Sequence, residues 1–274
     1  MEICKSILRI LDTQMEVPAP YGGFHLLWLA IVVVASVLLA KHGRKMDSKN
    51  VNRVVLVMAI VTICLEIYKQ INFTFGDGSS EPAYQWYAFP WQFCSTPMYI
   101  GLLAGLRRKG KLHDALCAYL ATFALFAGVA VMLYPTAVFM GTIGINIQTM
   151  FWHGSMIVVG VLLLASGHVE LKWRTLRKAL PVFIVMVLSA AVMNELAYQA
   201  GILENHTFNM FFISPYCDPS LPVYSLVQAV LPFPWSLTVY VLGFTAAAAL
   251  ILAAAMLIRR LSSVRRQPKM AGLS

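Results

Sequence analysis

The chain has 274 residues, of which 59% are hydrophobic and only 12% charged, with a mean hydropathy of +0.71. Soluble domains carry about 25% charged residues. The composition therefore excludes a soluble globular protein and leaves a polytopic membrane protein, with no room for a separate soluble domain of about 100 residues or more. The net charge of +9 would suggest nucleic acid in a soluble protein; here it reads as basic cytoplasmic loops, and no nucleic-acid partner is expected.

Residues 1–23 carry Glu2, Asp12 and Glu16 and lack the continuous apolar core of a cleaved signal peptide. They read as an extracytoplasmic interfacial segment, in which Ile3, Ile7, Leu8, Leu11 and Met15 put an apolar stripe on a short helix over 3–15. Crossing about 30 Å of hydrocarbon takes roughly 20 apolar residues, and seven stretches qualify: 24–41, 51–71, 89–106, 112–134, 147–166, 179–200 and 235–258. The stretch 89–106 is the weakest, being short and carrying Pro90 and Pro97. The expected fold is an all-α, seven-transmembrane-helix bundle over 24–260, without internal repeats. The outer segment 207–234 holds Pro215, Pro219, Pro222, Pro232 and Pro234. It is expected to form no long helix and to lie over the outer end as an interfacial connector or lid. Residues 261–274 form a basic tail.

Loop charge sets the expected orientation. Lys41, Arg44, Lys45, Lys49 and Arg53 surround the first loop, and Arg107, Arg108, Lys109 and Lys111 fill the third. Lys172, Arg174, Arg177 and Lys178 lie at the fifth, and Arg259, Arg260, Arg265, Arg266 and Lys269 follow the last span. Of the 21 basic residues only Lys5, Arg9 and Lys69 fall on the other side. The bias predicts an N-terminus outside, a C-terminus in the cytoplasm and an odd number of crossings: an integral, multi-pass protein, of the cell membrane in a bacterium.

In that frame the intramembrane polar residues collect in the outer third of the bilayer. They are His25, Glu66 with Lys69 and Gln70, Gln92 with Cys94, Asn146, Gln148 and His153, and Asn194 with Glu195. Ionisable groups within spans cost about 2.5 kcal/mol or more at the centre and usually face the bundle interior, so this convergence predicts a cavity open to the outer leaflet. Each residue also has a plain structural reading: Cys94 as an inert core thiol, as for Cys64 and Cys117; Glu66 and Lys69 as an i, i+3 ion pair; Asn194 as interhelical glue; His25 as an interfacial anchor. His42, His113 and His168 fall on the cytoplasmic side, too far to join an outer site. The five cysteines, Cys4 and Cys217 included, follow no disulfide or CxxC spacing. Two sequons, at Asn72 and Asn205, are present.

Cys94 in Phe-Pro-Trp-Gln-Phe-Cys and His153 in Trp-His-Gly open two spans from the same side. A thiolate nucleophile with an imidazole base makes an acyl-thioester from a lipid ester. Glu66 or Asn194 would orient the ring, Gln92 would stabilise an oxyanion, and Pro97 would leave polar backbone near Cys94. Water completes a hydrolase cycle, a lysolipid an acyl transfer; neither needs a cofactor or metal. The alternatives are a zinc site from His25, Glu66, Cys94 and His153, acting as a hydrolase, and a non-enzymatic seven-helix transporter or sensor.

These motifs, with Glu-x-x-Lys closing the second span, resemble the YwaF-like bacterial integral membrane proteins and their eukaryotic relatives, the transmembrane protein 164 family, over roughly 20–260. The resemblance implies a cysteine-dependent phospholipid acyltransferase acting on a lysophospholipid, with Cys94 and His153 as the catalytic pair and membrane phospholipids as partners.

Overall fold

The computed structural model describes residues 11–75, 84–201 and 208–264. They form helices α1 (Gly23–Gly43), α2 (Ser48–Phe75), α3 (Thr96–Arg107), α4 (Lys111–Leu133), α5 (Ile143–Ala165), α6 (Trp173–Gln199), the short α7 (Pro222–Gln228) and α8 (Phe233–Val264). No β-strand occurs among the described residues; a single isolated bridge joins Gln14 to Thr142. All of α1, α2, α4, α5, α6 and α8 are long and apolar enough to cross a membrane. The seventh expected span is not one continuous helix: α3 has 12 residues, about 18 Å of rise against about 30 Å of hydrocarbon. Residues 89–95 before it are irregular because Pro90 and Pro97 cannot donate to a helical ladder, and Pro97 starts α3 instead.

Helices α4 and α5 are the centre. Of their apolar windows 72% and 78% are buried, against 11% for α1 and α8, whose bare leucines and valines are the lipid face. The central pair approaches closely through glycines, the usual device where lipid offers no hydrophobic drive between helices. A methyl on Gly128 of α4 would stand 2.7 Å from the carbonyl oxygen of His153, and one on Gly160 of α5 would stand 2.8 Å from Cβ of Leu125. A π-turn at Leu120–Ala124 interrupts α4; just before it, the buried Tyr119 hydroxyl lies 2.8 Å from Thr96 Oγ1 at the first residue of α3.

One end of the bundle gathers the loops rich in basic residues. Asn52 at the start of α2 donates to the Arg108 carbonyl at 3.3 Å, Lys178 meets Asp114 at 2.9 Å, and Ser48 lies 3.2 Å from His168. Arg44 and Arg259 line one cleft at the same end. The opposite end holds the tips of α1, α2 and α4 and the lead-in to α3. There the buried His25 ring receives the Tyr21 N–H at 2.8 Å and reaches the Met132 carbonyl at 2.8 Å, joining α1 to α4. Residues 3–10 of the expected interfacial helix lie outside the described residues. Residues 12–15 are not helical: Met15 N–H donates to Gly141 and Ile143 N–H to Thr13, so this stretch pairs with the start of α5.

The Pro-rich segment departs most from expectation. Its described part, from 208 onward, dips into the bundle before α7, and Met210, Phe211 and Ile213 are fully buried. Phe211 and Phe212 adopt φ of 58° and 57°, an uncommon conformation for bulky residues. Two side-chain amides hold it there. Asn194 of α6 donates to the Met210 carbonyl at 3.0 Å and accepts the Met210 N–H at 2.8 Å. Gln92 donates to the Asn209 carbonyl and accepts the Phe211 N–H, both at 2.9 Å. The segment enters the core because its backbone finds these partners away from water. The sequon at Asn72 sits in the last turn of α2, its amide donating to Asp12 at 2.6 Å; the one at Asn205 lies outside the described residues.

Two substitutions test this packing. Asn194→Leu strands a buried N–H and C=O of Met210 and should cost about 1–3 kcal/mol for each group, read as a fall in the detergent melting temperature. Gly128→Ala should cost about 1–3 kcal/mol by overpacking α4 on α5, whereas Gly243→Ala on α8, with open space around it, should be neutral.

Candidate functional site

Cys94 stands two residues before α3, at the end of the irregular stretch, and is half-buried. The turn around it is closed by Ser95 and Thr96 N–H groups donating to the Gln92 carbonyl at 2.7 and 3.2 Å. The Cys94 carbonyl, released from any helical ladder, accepts the indole N–H of Trp152 at 2.7 Å. One bond thus ties the lead-in of α3 to α5 at the residue next to His153. The polar, non-helical backbone expected beside Cys94 is present, and Trp152 is the side chain that satisfies it.

His153 is buried on α5, and its ring is oriented by its own helix. Nδ1 lies 2.7 Å from the Thr149 carbonyl, with the Thr149 hydroxyl 3.4 Å away. A carbonyl accepts only, so in the neutral imidazole Nδ1 carries the proton and Nε2, without a hydrogen-bond partner among the described residues, holds the lone pair. Neither expected orienting residue does this work: Asn194 is engaged by Met210, and Glu66 by its own helix. Among the described residues no hydrogen bond joins Cys94 Sγ to His153. Trp152 and His153 are rotated by about 100° on the helix, so with Trp152 turned to Cys94 the imidazole lies to one side of it.

The Glu66 carboxylate is buried on α2. Its Oε1 accepts from Lys69 at 2.8 Å and from Gln70 at 2.7 Å; its Oε2 is buried without a partner among the described residues. The Glu66–Lys69 pair is the i, i+3 pair expected from spacing, and Gln70 also donates to the Ala88 carbonyl at 2.7 Å, holding the α3 lead-in against α2. Beside these groups a groove of about 480 Å³ opens sideways between α2 and α3, lined by Glu66, Gln70, Pro90, Met98, Tyr99 and neighbouring aliphatic residues. A cavity of about 30 Å³, room for one water, lies deeper, between Thr62, Pro97, Trp152 and Ser155.

Gln92 is engaged at both ends of its amide by residues 209 and 211, so it supports the site by holding the buried segment rather than by facing an oxyanion. The zinc set of His25, Glu66, Cys94 and His153 does not assemble, because both His25 nitrogens are committed to backbone. A different group of donors does converge, at the far end of the bundle: His113, Cys117 and His168. The signal for it was a histidine and a cysteine four residues apart on one helix. Trp152 and Thr149 were legible only as neighbours of His153.

No curated protein and no solved structure matches the chain. The sequence profile of the TMEM164 family matches residues 20–257, which take in α1, the irregular lead-in with Cys94, His153 and most of α8. The chain therefore belongs to the TMEM164 family.

Proposed function

We propose that this protein is a membrane-embedded, cysteine-dependent lipid acyltransferase, with Cys94 as nucleophile and His153 as base. The observation that carries the reading is a half-buried cysteine on broken backbone among apolar helices, tied through Trp152 to the neighbour of a histidine whose Nε2 has no hydrogen-bond partner among the described residues. Irregular backbone among crossings is tolerated where it lines a cavity. In the same reading α3 and its lead-in make a seventh crossing. The basic end faces the cytoplasm by the positive-inside bias, which puts Cys94, His153 and the N-terminus at the outer leaflet.

In this reading a phospholipid chain enters laterally by the groove between α2 and α3, whose lining includes Pro90 of the lead-in that carries Cys94. Cys94 Sγ gives its proton to His153 Nε2 as the lipid ester seats between them; such contacts often tighten only with substrate bound. The thiolate so formed attacks the ester carbonyl. The C–O bond breaks, the imidazolium protonates the leaving alkoxide oxygen to give the lysolipid hydroxyl, and an acyl-thioester remains on Cys94. The hydroxyl of an acceptor lysolipid then gives its proton to Nε2 and attacks the thioester, and the departing thiolate recovers that proton. The Thr149 carbonyl keeps the ring in the required tautomer throughout. Glu66 lines the groove, and its buried Oε2, without a partner among the described residues, is suited to a cationic or hydroxyl group of the lipid.

Lipid mass spectrometry of cells expressing the parent protein and Cys94→Ala tests the reading. The parent should redistribute acyl chains between phospholipid and lysophospholipid, and Cys94→Ala should abolish this at equal expression; an unchanged rate in Cys94→Ala would refute the scheme. His153→Gln should slow transfer by about 10²–10⁴-fold. Net accumulation of free fatty acid in place of transfer would assign the same thiol to hydrolysis.

A further inference from the structure

The opposite, basic end carries a second constellation that the acyl chemistry does not use. His113 and Cys117 stand one turn apart on α4, and both are buried. His168 comes from the loop after α5 and is half-buried. Gly167, at φ 77°, turns the chain back there, and the Val169 N–H donates to the Leu163 carbonyl at 3.0 Å. That closed turn sets His168 beside α4: its Nε2 lies 2.9 Å from Nε2 of His113. Cys117 Sγ is 3.6 Å from the same His113 atom, and all three donor atoms lie within 4.8 Å of one another.

We propose that His113, Cys117 and His168 bind a zinc ion at the cytoplasmic end of the bundle. Zinc with Zn–N near 2.0–2.1 Å and Zn–S near 2.3 Å in tetrahedral geometry puts sulfur and nitrogen ligands about 3.6 Å apart, the separation already present between Cys117 and His113. Two nitrogen ligands would sit about 3.3 Å apart by the same geometry, so the imidazoles need to part by only a few tenths of an ångström. Each ring has its other nitrogen held from outside, as metal-binding histidines require. His113 Nδ1 lies 3.0 Å from the Ala104 carbonyl and His168 Nδ1 lies 3.2 Å from the Ser48 hydroxyl.

The protons balance. The Ala104 carbonyl fixes the His113 proton on Nδ1, so in the metal-free state His168 donates its Nε2 proton to His113 Nε2, and Ser48 donates to His168 Nδ1. On binding zinc, His168 moves its proton to Nδ1 and donates it to the Ser48 oxygen. Both Nε2 lone pairs then face the metal. The Cys117 thiol loses a proton to solvent. Asp114 is held by Lys178, which leaves the fourth position to water on the half-exposed His168 side. The ion would join α4 to the α5–α6 loop, with α2 and α3 behind it through Ser48 and Ala104.

The test uses the full chain in detergent, stripped of metal by a chelator and kept reduced, and titrated first with cobalt(II) and then with zinc. One equivalent of cobalt should give a thiolate-to-metal charge-transfer band and intense tetrahedral d–d bands, both lost as zinc displaces it. Cys117→Ser should remove the charge-transfer band, and His168→Ala, in the loop, should weaken zinc binding at least tenfold. Ser48→Ala should weaken it by about 10–100-fold while leaving the ligands in place. Absence of the charge-transfer band in the reduced parent protein, or its persistence in both Cys117→Ser and His168→Ala, overturns the site. Should Cys117→Ser not fold, the parent titration and His168→Ala decide the matter. Because the readout is metal binding, neither result depends on the acyl chemistry at Cys94.

Discussion

Hydrocarbon supplies no hydrogen bonds, so every backbone N–H and C=O within the bilayer needs a partner from the protein itself. In this chain that constraint explains more than helix propensity does. Two stretches, 89–95 and the one running from 208 into α7, leave the helical ladder inside the bundle, and each survives because side chains replace the missing partners. Gln92 and Asn194 serve the second stretch; Trp152 serves the first. The proposed nucleophile lies on the first of these breaks, and Gln92, two residues before it, ties that break to the second.

Much of this was legible in the residues. Apolar run lengths located α1, α2, α4, α5, α6 and α8, and the paired prolines singled out 89–106 as the weak span, which became a short helix behind an irregular lead-in. Loop arginines and lysines anticipated which loops share an end. Gln92 and Asn194 were expected to serve an oxyanion and the imidazole, and both are engaged elsewhere. Their partners are backbone groups of residues 209–211, and nothing in composition announces that a Pro-rich stretch will turn inward. Polar amides facing each other across a bundle read equally well as catalytic or as structural until the acceptor is known.

The histidines teach the same lesson in reverse. His25 belonged to a possible metal set by depth alone, yet both its nitrogens are taken by backbone. His113 and His168 were set aside because they are far from Cys94, and Cys117 because it lies among aliphatic residues. Their meeting depends on a turn at Gly167 that brings a loop residue 55 positions away against α4, which pattern reading along one helix does not reveal. The molecule thus carries donor-rich groups at both ends, separated by the largely apolar middle of α4 and α5.

The central claim is that acyl groups pass through sulfur at Cys94. Peptide mass spectrometry of the purified protein, quenched in acid during turnover of a defined phospholipid, addresses it directly. The account requires one acyl mass on the peptide containing Cys94, removed by neutral hydroxylamine as a thioester is. Turnover at full rate with that peptide unmodified, or an adduct on a different cysteine, would contradict it.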